Sequence, residues 1–431
     1  MKKCIAYILF LFALPVMAQE AVYPATAQKL AVVITNATIH IGNGTVLENA
    51  AIAFVEGKIT AVGTSVTPPT GAQIINAQGR HVYPGLILSA SNLGLVEVQS
   101  VRATSDILEI GELNPSIRSI VAYNTDSRVI NVVRSNGILL ANIVPKGVLL
   151  AGTSSVVQLD AWNWEDAMYK MDYGMHLYMP VLLPRPRQLA AVTTPPQPDP
   201  IVEGLERIDR IKSFLQQAKA YHAQATHSET NLKLAAVKGL FLKTQKLFVH
   251  ANTVKQMLLA LDLVKELGID MVIVGGTDSW QIADLLKQNN VAVILNRPHS
   301  LPTLEDDDID QPYKTPALLQ KAGVLYSIND EDEQTRGRNL PFNAGTAVTF
   351  GLTKEQALQA ITLSAAKILG IDAKTGSLEV GKDANLVISN GDILDMRTSI
   401  ITDAFIQGRQ LILEDKQKLL YERYKHKYNI N

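Results

Sequence analysis

From residue 246 onward the chain alternates strand and helix four times, and that alternation constrains the fold more than any other feature. "KLFVHA" (246–251) precedes a helix opening at Thr253, with apolar residues at Val254, Met257, Leu258, Leu261 and Val264, stopped before Gly268. "IDMVIV" (269–274) precedes a helix capped by Ser279 and running through Ile282, Leu285 and Leu286. "VAVIL" (291–295) precedes one with Thr315 as cap and Pro316 at its first position. "VLYSI" (324–328) precedes one opened by a Thr353/Gln356 capping box and ending near Leu369. Val/Ile-rich strands between amphipathic helices imply a parallel sheet covered on its faces. Four such units are half of a closed (β/α)8 TIM-like barrel, so the fold class is α/β.

Two β-rich blocks flank this region. "AVVITNATIHIGNG" and "AAIAFVEGKITAVG", with Glu56 to Lys58 as a hairpin turn, lie before it; "GSLEVGKDANLVISNG" and "DAFIQGRQLIL" follow it. The simplest arrangement is one small β-sandwich assembled from segments 19–85 and 376–415, with residues 86–375 inserted as the barrel and 416–431 as a helical tail. Residues 201–225, rich in Lys, Glu, Gln and Ala, read as a solvated helix, and 179–200 as a proline-rich surface excursion.

The first residues, "MKKCIAYILFLFALPVMAQE", have two lysines, an apolar run from Ile5 to Leu14 and a small residue at Ala18, the pattern of a signal peptide (1–18) cut near Ala18. The implied destination is secreted or periplasmic. That run falls short of the ~20 residues of a membrane helix, so no membrane span is expected. The sole cysteine, Cys4, lies within the expected signal, which leaves stability to core packing. A net charge of -1 excludes a general field for nucleic acid or anionic lipid.

Three stretches carry a resemblance: "INAQGRHVYPGLI" (75–87), "VHAN" (249–252) and "ALQAITLSAAKILGIDAKTGSLEVGKDANLVI" (357–388). In them the chain resembles the amidohydrolase superfamily, and within it the imidazolonepropionase-like and dihydroorotase-like periplasmic members. The resemblance implies a hydrolase of non-peptide C–N bonds, holding one or two divalent metals, usually zinc, that supply a bound hydroxide. In that family strand 1 ends in an aspartate and two metal-binding histidines. Here Pro84, Gly85, Leu86 and Ile87 match, but Leu88, Ala90 and Asn92 stand at those three positions. His250 matches the strand 5 histidine, and Gly275 replaces the strand 6 ligand. The strand 8 aspartate, which would orient the attacking water, falls on Asn329 or Asp330, with Asp330 taken as the catalytic and metal-binding candidate beside His250. The strand 4 ligand has no clear counterpart, with Lys233, Lys238 and Lys243 nearby.

Two ligands make a weak, exchangeable zinc site, so the cofactor set is incomplete. His250 alone at a strand end is more often a hydrogen-bonded leftover than a ligand. "LEDDDID" (304–310) and the acidic run 329–333 read as solvated loops as readily as cation sites. Trp162 and Trp164 are candidates to stack on a ligand at the barrel mouth, and Arg336 and Arg338 to clamp a carboxylate. Two readings follow: a C–N hydrolase with an unusual ligand set, or a catalytically silent relative that binds a small molecule, forms a homo-oligomer or pairs with an intact amidohydrolase. Carbohydrate binding by the tryptophan loop is a third.

Overall fold

The computed structural model describes residues 23–183, 199–224, 226–302, 306–330 and 334–430. The expected signal peptide, most of the proline-rich stretch and parts of both acidic runs lie outside them. The chain begins with strands β1 (Val32–His40), β2 (Val46–Val55), β3 (Lys58–Gly63), β4 (Gln73–Asn76) and β5 (His81–Pro84). The β2–β3 turn places Glu56 and Gly57 at φ 51° and 76°, the left-handed pair that a two-residue hairpin requires.

The barrel follows. Its strands are β6 (Leu86–Ser91), β7 (Ile138–Ile143), β8 (Leu150–Gln158), β9 (Met168–Tyr178), β10 (Lys246–Ala251), β11 (Met271–Gly275), β12 (Ala292–Leu295) and β13 (Tyr326–Ile328). Its helices are α1 (Arg128–Arg134), α2 (Pro200–Ala223), α3 (Val254–Leu267), α4 (Ala283–Gln288), α5 (Gln311–Ala322), α6 (Leu340–Thr349), α7 (Lys354–Ala360) and α8 (Leu363–Ile368), besides single turns. Strands β14 (Leu386–Ser389), β15 (Ile401–Ile406) and β16 (Arg409–Gln410) and a last helix, α9 (Lys416–Tyr428), complete the chain.

The eight barrel strands pair in sequence order from β6 to β13. Every neighbouring pair is parallel except those made by β8, which runs antiparallel to both β7 and β9. No crossover helix separates β7 from β8, so this third of the barrel departs from strict β/α alternation. Alternate residues point inward. Ile87, Leu140, Val156, Phe248, Val272 and Ile294 form an interior cluster, and Ala365, Ala366 and Ile368 of α8 are packed into it. The outward set, including Leu88, Leu139, Leu177, Val249, Ile273 and Val293, packs among the helices in the largest core.

The terminal strands form one continuous sheet in the order β16-β15-β14-β5-β1-β2-β3, with β4 added to β1. Phe54 on β2 meets Phe405 on β15 edge-on at 5.2 Å, although three strands lie between them in that order. The sheet is therefore curled around its own core, which includes Ile34, Ile52, Val82 and Leu386. Asp160 ties this unit to the barrel: it accepts from the Arg134 guanidinium at 2.5 Å, from Arg409 at 3.2 Å and from the Ala25 N–H at 2.8 Å.

Several helix boundaries differ from the sequence reading. Helix α2 is amphipathic rather than solvated, because Ile208, Ile211, Phe214 and Leu215 are buried. Helix α5 begins at Gln311 with Pro312 in its first turn, so Thr315 and Pro316 lie inside it rather than at its start. Ser279 is buried in a short 3-10 turn before α4. Thr253 with Gln256 and Thr353 with Gln356 form complete capping boxes, and Gly268 ends α3 in the left-handed conformation.

Candidate functional site

At the carboxyl ends of the barrel strands, where such folds carry their chemistry, the central pair is His250 and His176. His250 ends β10 and His176 lies on β9, one strand over, with Nδ1 of His176 2.9 Å from Nε2 of His250. The second nitrogen of His176, Nε2, is buried with no hydrogen-bond partner. That asymmetry fixes the tautomer, because a buried lone pair is less costly to orphan than a buried N–H. His176 therefore donates through Nδ1 and His250 accepts through Nε2. Tyr178 stacks on the His250 ring at 3.8 Å and 11°, and its hydroxyl donates to the Pro145 carbonyl at 2.9 Å. Burial drives both histidines toward neutrality. His250 is pushed down to about 3, with the Lys146 charge adding to the effect, and His176 lies well below the ordinary range, with His250 adding to burial.

Opposite this pair the barrel closes without a ladder between β13 and β6. The Asn329 side chain takes its place: Oδ1 accepts from the Ala90 N–H at 3.1 Å, and Nδ2 donates to the Ala90 carbonyl at 2.8 Å. The hydroxyls of Ser89 and Ser327 meet at 2.9 Å, and Asn142 donates to the Ser89 carbonyl at 3.1 Å. Asp330, the next residue, is buried against α6, where Asn343 donates to it at 2.9 Å. Burial raises its affinity for a proton, against the pull of Asn343, Arg336, Arg297 and His299.

The residues present do not fit a resident zinc. Where the resemblance would place strand 1 ligands stand Ala90, whose backbone is gripped by Asn329, and Asn92 in the turn beyond β6. At Gly275 a Cβ would stand 2.3 Å from Asn252 Oδ1, and the backbone at φ 101° strains any residue with a side chain, whether or not the amide moves aside. His250 has its Nε2 engaged by His176, and Asp330 has only Asn343 as hydrogen-bond partner among the described residues. No group of three or more His, Cys, Asp or Glu suited to a metal ion occurs among the described residues.

The other expected site residues are dispersed. Trp162 and Trp164 lie in the β8–β9 connection. Because β8 runs antiparallel, that connection is at the amino-terminal end of the barrel, which removes the pair from the mouth. Trp162 instead stands beside Tyr23, with ring centroids 6.2 Å apart. Arg336 and Arg338 lie in the 3-10 turn before α6; Arg336 contributes to the field at Asp330, whereas Arg338 is exposed. Lys233, Lys238 and Lys243 lie in or beside the short helices preceding β10, not on strand 4, which is β9. His176 was missed. The signal for it was the two-residue alternation of Gly174, His176 and Tyr178 with Met175 and Leu177, just before the proline-rich stretch.

A cavity of about 30 Å³, room for roughly one water, lies beside Gly275 and Asn296 at this end. A larger one of about 360 Å³, lined by Lys287, Gln320, Tyr326 and Lys367, opens at the opposite end of β12 and β13.

A barrel with this strand order, joined to a curled sheet built from both chain termini, is the amidohydrolase type of fold, and residues 209–411 match the sequence profile of the amidohydrolase family. Over residues 209–411 the chain is similar to the amidohydrolase family. It is similar to the imidazolonepropionase of Mesorhizobium japonicum, 25% identical over 369 residues that cover 80% of this chain and 87% of that one. It is equally similar to the imidazolonepropionase of Pseudomonas entomophila, 25% identical over 385 residues, 81% and 90% of the two chains. The crystal structure of an amidohydrolase from Thermotoga maritima superposes with a TM-score of 0.77 at 22% identity, covering 88% of this chain and 99% of that one.

Proposed function

We propose that this protein is a catalytically silent amidohydrolase that acts by binding rather than by hydrolysis. The observation that carries this reading is the Asn329–Ala90 lock: the place where strands 1 and 8 would offer metal ligands is occupied by a closed set of hydrogen bonds. The His176–His250 pair supports it, since a ring nitrogen that would serve as ligand is spent on a neighbouring ring. Its partner under this reading is a small molecule, a second copy or an intact, metal-bearing relative. The leader-like first 18 residues favour a secreted or periplasmic setting. No helix among the described residues is long and apolar enough to cross a membrane.

The similarity to imidazolonepropionases favours a lineage of C–N bond hydrolases acting on bonds other than peptides, and the retained His250 is the one residue that speaks for residual activity. Elemental analysis of dialysed protein, with thermal unfolding in the presence and absence of a chelator, decides between the two. The expected result is substoichiometric zinc and an unchanged Tm. Stoichiometric zinc, lost in His250→Ala together with hydrolysis of an imidazolone-type substrate, would return the chain to the enzymes.

A further inference from the structure

The carboxyl-terminal helix α9 is a 13-residue helix that fully buries none of its side chains; Leu419, Leu420 and Lys425 are partly covered. Isolated helices of this length are marginal in water, and helices in proteins owe most of their stability to packing of one face. Its capping is complete, with Asp415 accepting from the N–H groups of Gln417 and Lys418 and Asn429 closing the other end, but caps alone do not supply a packed face. At about 100° per residue, Leu420, Tyr421, Tyr424 and Tyr428 fall within one narrow stripe, and Leu419 lies on the other side. The three tyrosines of the stripe are 63%, 53% and 61% exposed.

Cations flank the stripe on both sides, Lys416, Arg423 and Lys427 along one edge and Lys418 and Lys425 along the other, against a single acid, Glu422. Lys425 stands 5.5 Å from the Tyr421 ring, and Lys427 5.7 and 5.0 Å from the rings of Tyr424 and Tyr428. The near-zero charge of the whole chain conceals this local concentration. We propose that α9 is an interfacial anchor that lays its tyrosine stripe on an anionic lipid surface. Charge complementarity calls for an anionic partner, and four lysines against one arginine favour lipid over protein. Lysine is depleted from protein–protein interfaces, whereas tyrosine, with an apolar body and a polar tip, belongs to the headgroup layer, with lysine stems reaching past it to the phosphates.

The test is co-sedimentation of the full chain with vesicles of phosphatidylcholine alone or mixed equally with phosphatidylglycerol. Two triple variants are compared with the parent, Arg423→Ser/Lys425→Ser/Lys427→Ser and Tyr421→Ser/Tyr424→Ser/Tyr428→Ser; all three proteins are identical outside α9. The parent is expected to bind the anionic vesicles in a salt-sensitive manner. At about 1 kcal/mol per cation the cation variant should bind roughly 100-fold more weakly, and the tyrosine variant should also lose binding. Both should keep the parent's Tm, because none of the substituted side chains is buried. Equal binding by parent and variants, or a lowered Tm showing the stripe to be part of the fold, overturns the proposal. Binding to polyglutamate but not to vesicles also overturns it, in favour of an acidic protein partner.

Discussion

The side chain of Asn329 holds the backbone of Ala90 at both its N–H and its carbonyl, 3.1 and 2.8 Å away, and so supplies the rung that β13 and β6 do not form for themselves. A carboxamide donates and accepts through separate atoms of one planar group at any pH, which suits it to both backbone groups at once. Replacing it with leucine leaves two buried backbone groups unpaired, at about 1–3 kcal/mol each. Asn329→Leu is expected to lower unfolding free energy by about 2–5 kcal/mol in chemical denaturation, and a loss under 1 kcal/mol would show the rung to be incidental.

Asn329→Asp probes the same rung through pH. A buried aspartate here accepts from the Ala90 N–H, but can donate to the carbonyl only when protonated, so its folded pKa is raised above the ordinary ~3.9. A raised folded pKa means stability present at low pH and lost as pH rises through it. Relative to the parent, Asn329→Asp should therefore be less destabilised at pH 5 than at pH 8. The opposite order would mean that solvent reaches the seam.

Gly275 tests whether a lost ligand position can be refilled. A Cβ there meets Asn252 Oδ1 at 2.3 Å, while Asn252 itself accepts from the Thr277 hydroxyl at 3.1 Å. The amide can swing aside, but the φ of 101° remains. Gly275→Ala should cost about 1–3 kcal/mol from backbone strain, and Gly275→His more, with no gain of bound zinc. Full recovery of stability in Gly275→His/Asn252→Gly would show that the side-chain contact, not the backbone, is decisive.

The contrast between these residues and the capping boxes explains what the sequence made legible. Thr253 with Gln256, Thr353 with Gln356 and the stop at Gly268 act within a few residues, so spacing alone exposes them, and β10 to β13 follow from the helices that they bound. The residue types at Ala90, Asn92 and Gly275 could be read from sequence, because they are a matter of composition at single positions. The contacts around them could not. Asn329 and Ala90 are 239 positions apart, and nothing local marks an amide as a rung. The reversal of β8 was hidden for a related reason: all nine of its residues are buried, so it has no polar alternation to report direction or neighbours. That reversal carried the tryptophan loop to the far end of the barrel.

Asp160 joins Arg134, Arg409 and the Ala25 N–H in a buried cluster between barrel and curled sheet. Desolvation pulls the Arg134 pKa down, against the opposing charge of Asp160. Removing the carboxylate strands a buried guanidinium, which typically costs about 3–5 kcal/mol. Asp160→Ala should show that loss in chemical denaturation, together with faster hydrogen exchange at the Ala25 amide. Unchanged exchange would mean that the amino-terminal segment is held by other contacts.

The His176–His250 pair makes stability depend on acid. Both rings are held neutral in the folded protein, His250 down to about 3, whereas in the unfolded chain each titrates near the ordinary ~6.5. A depressed folded pKa contributes stability above the unfolded value and loses it as pH falls toward the folded one. Below pH 6.5 each ring should therefore steepen the loss by up to about 1.4 kcal/mol per pH unit, His250 doing so down to about pH 3. His176→Leu removes one proton-binding group and the orphaned Nε2 with it, so its stability should fall less steeply with acid than the parent's. Ring resonances followed by NMR from pH 8 to pH 5 should show neither histidine titrating. A midpoint near 6.5 for His250 would mean that Tyr178 does not shield it, and that its second nitrogen is open to solvent or to a metal ion after all.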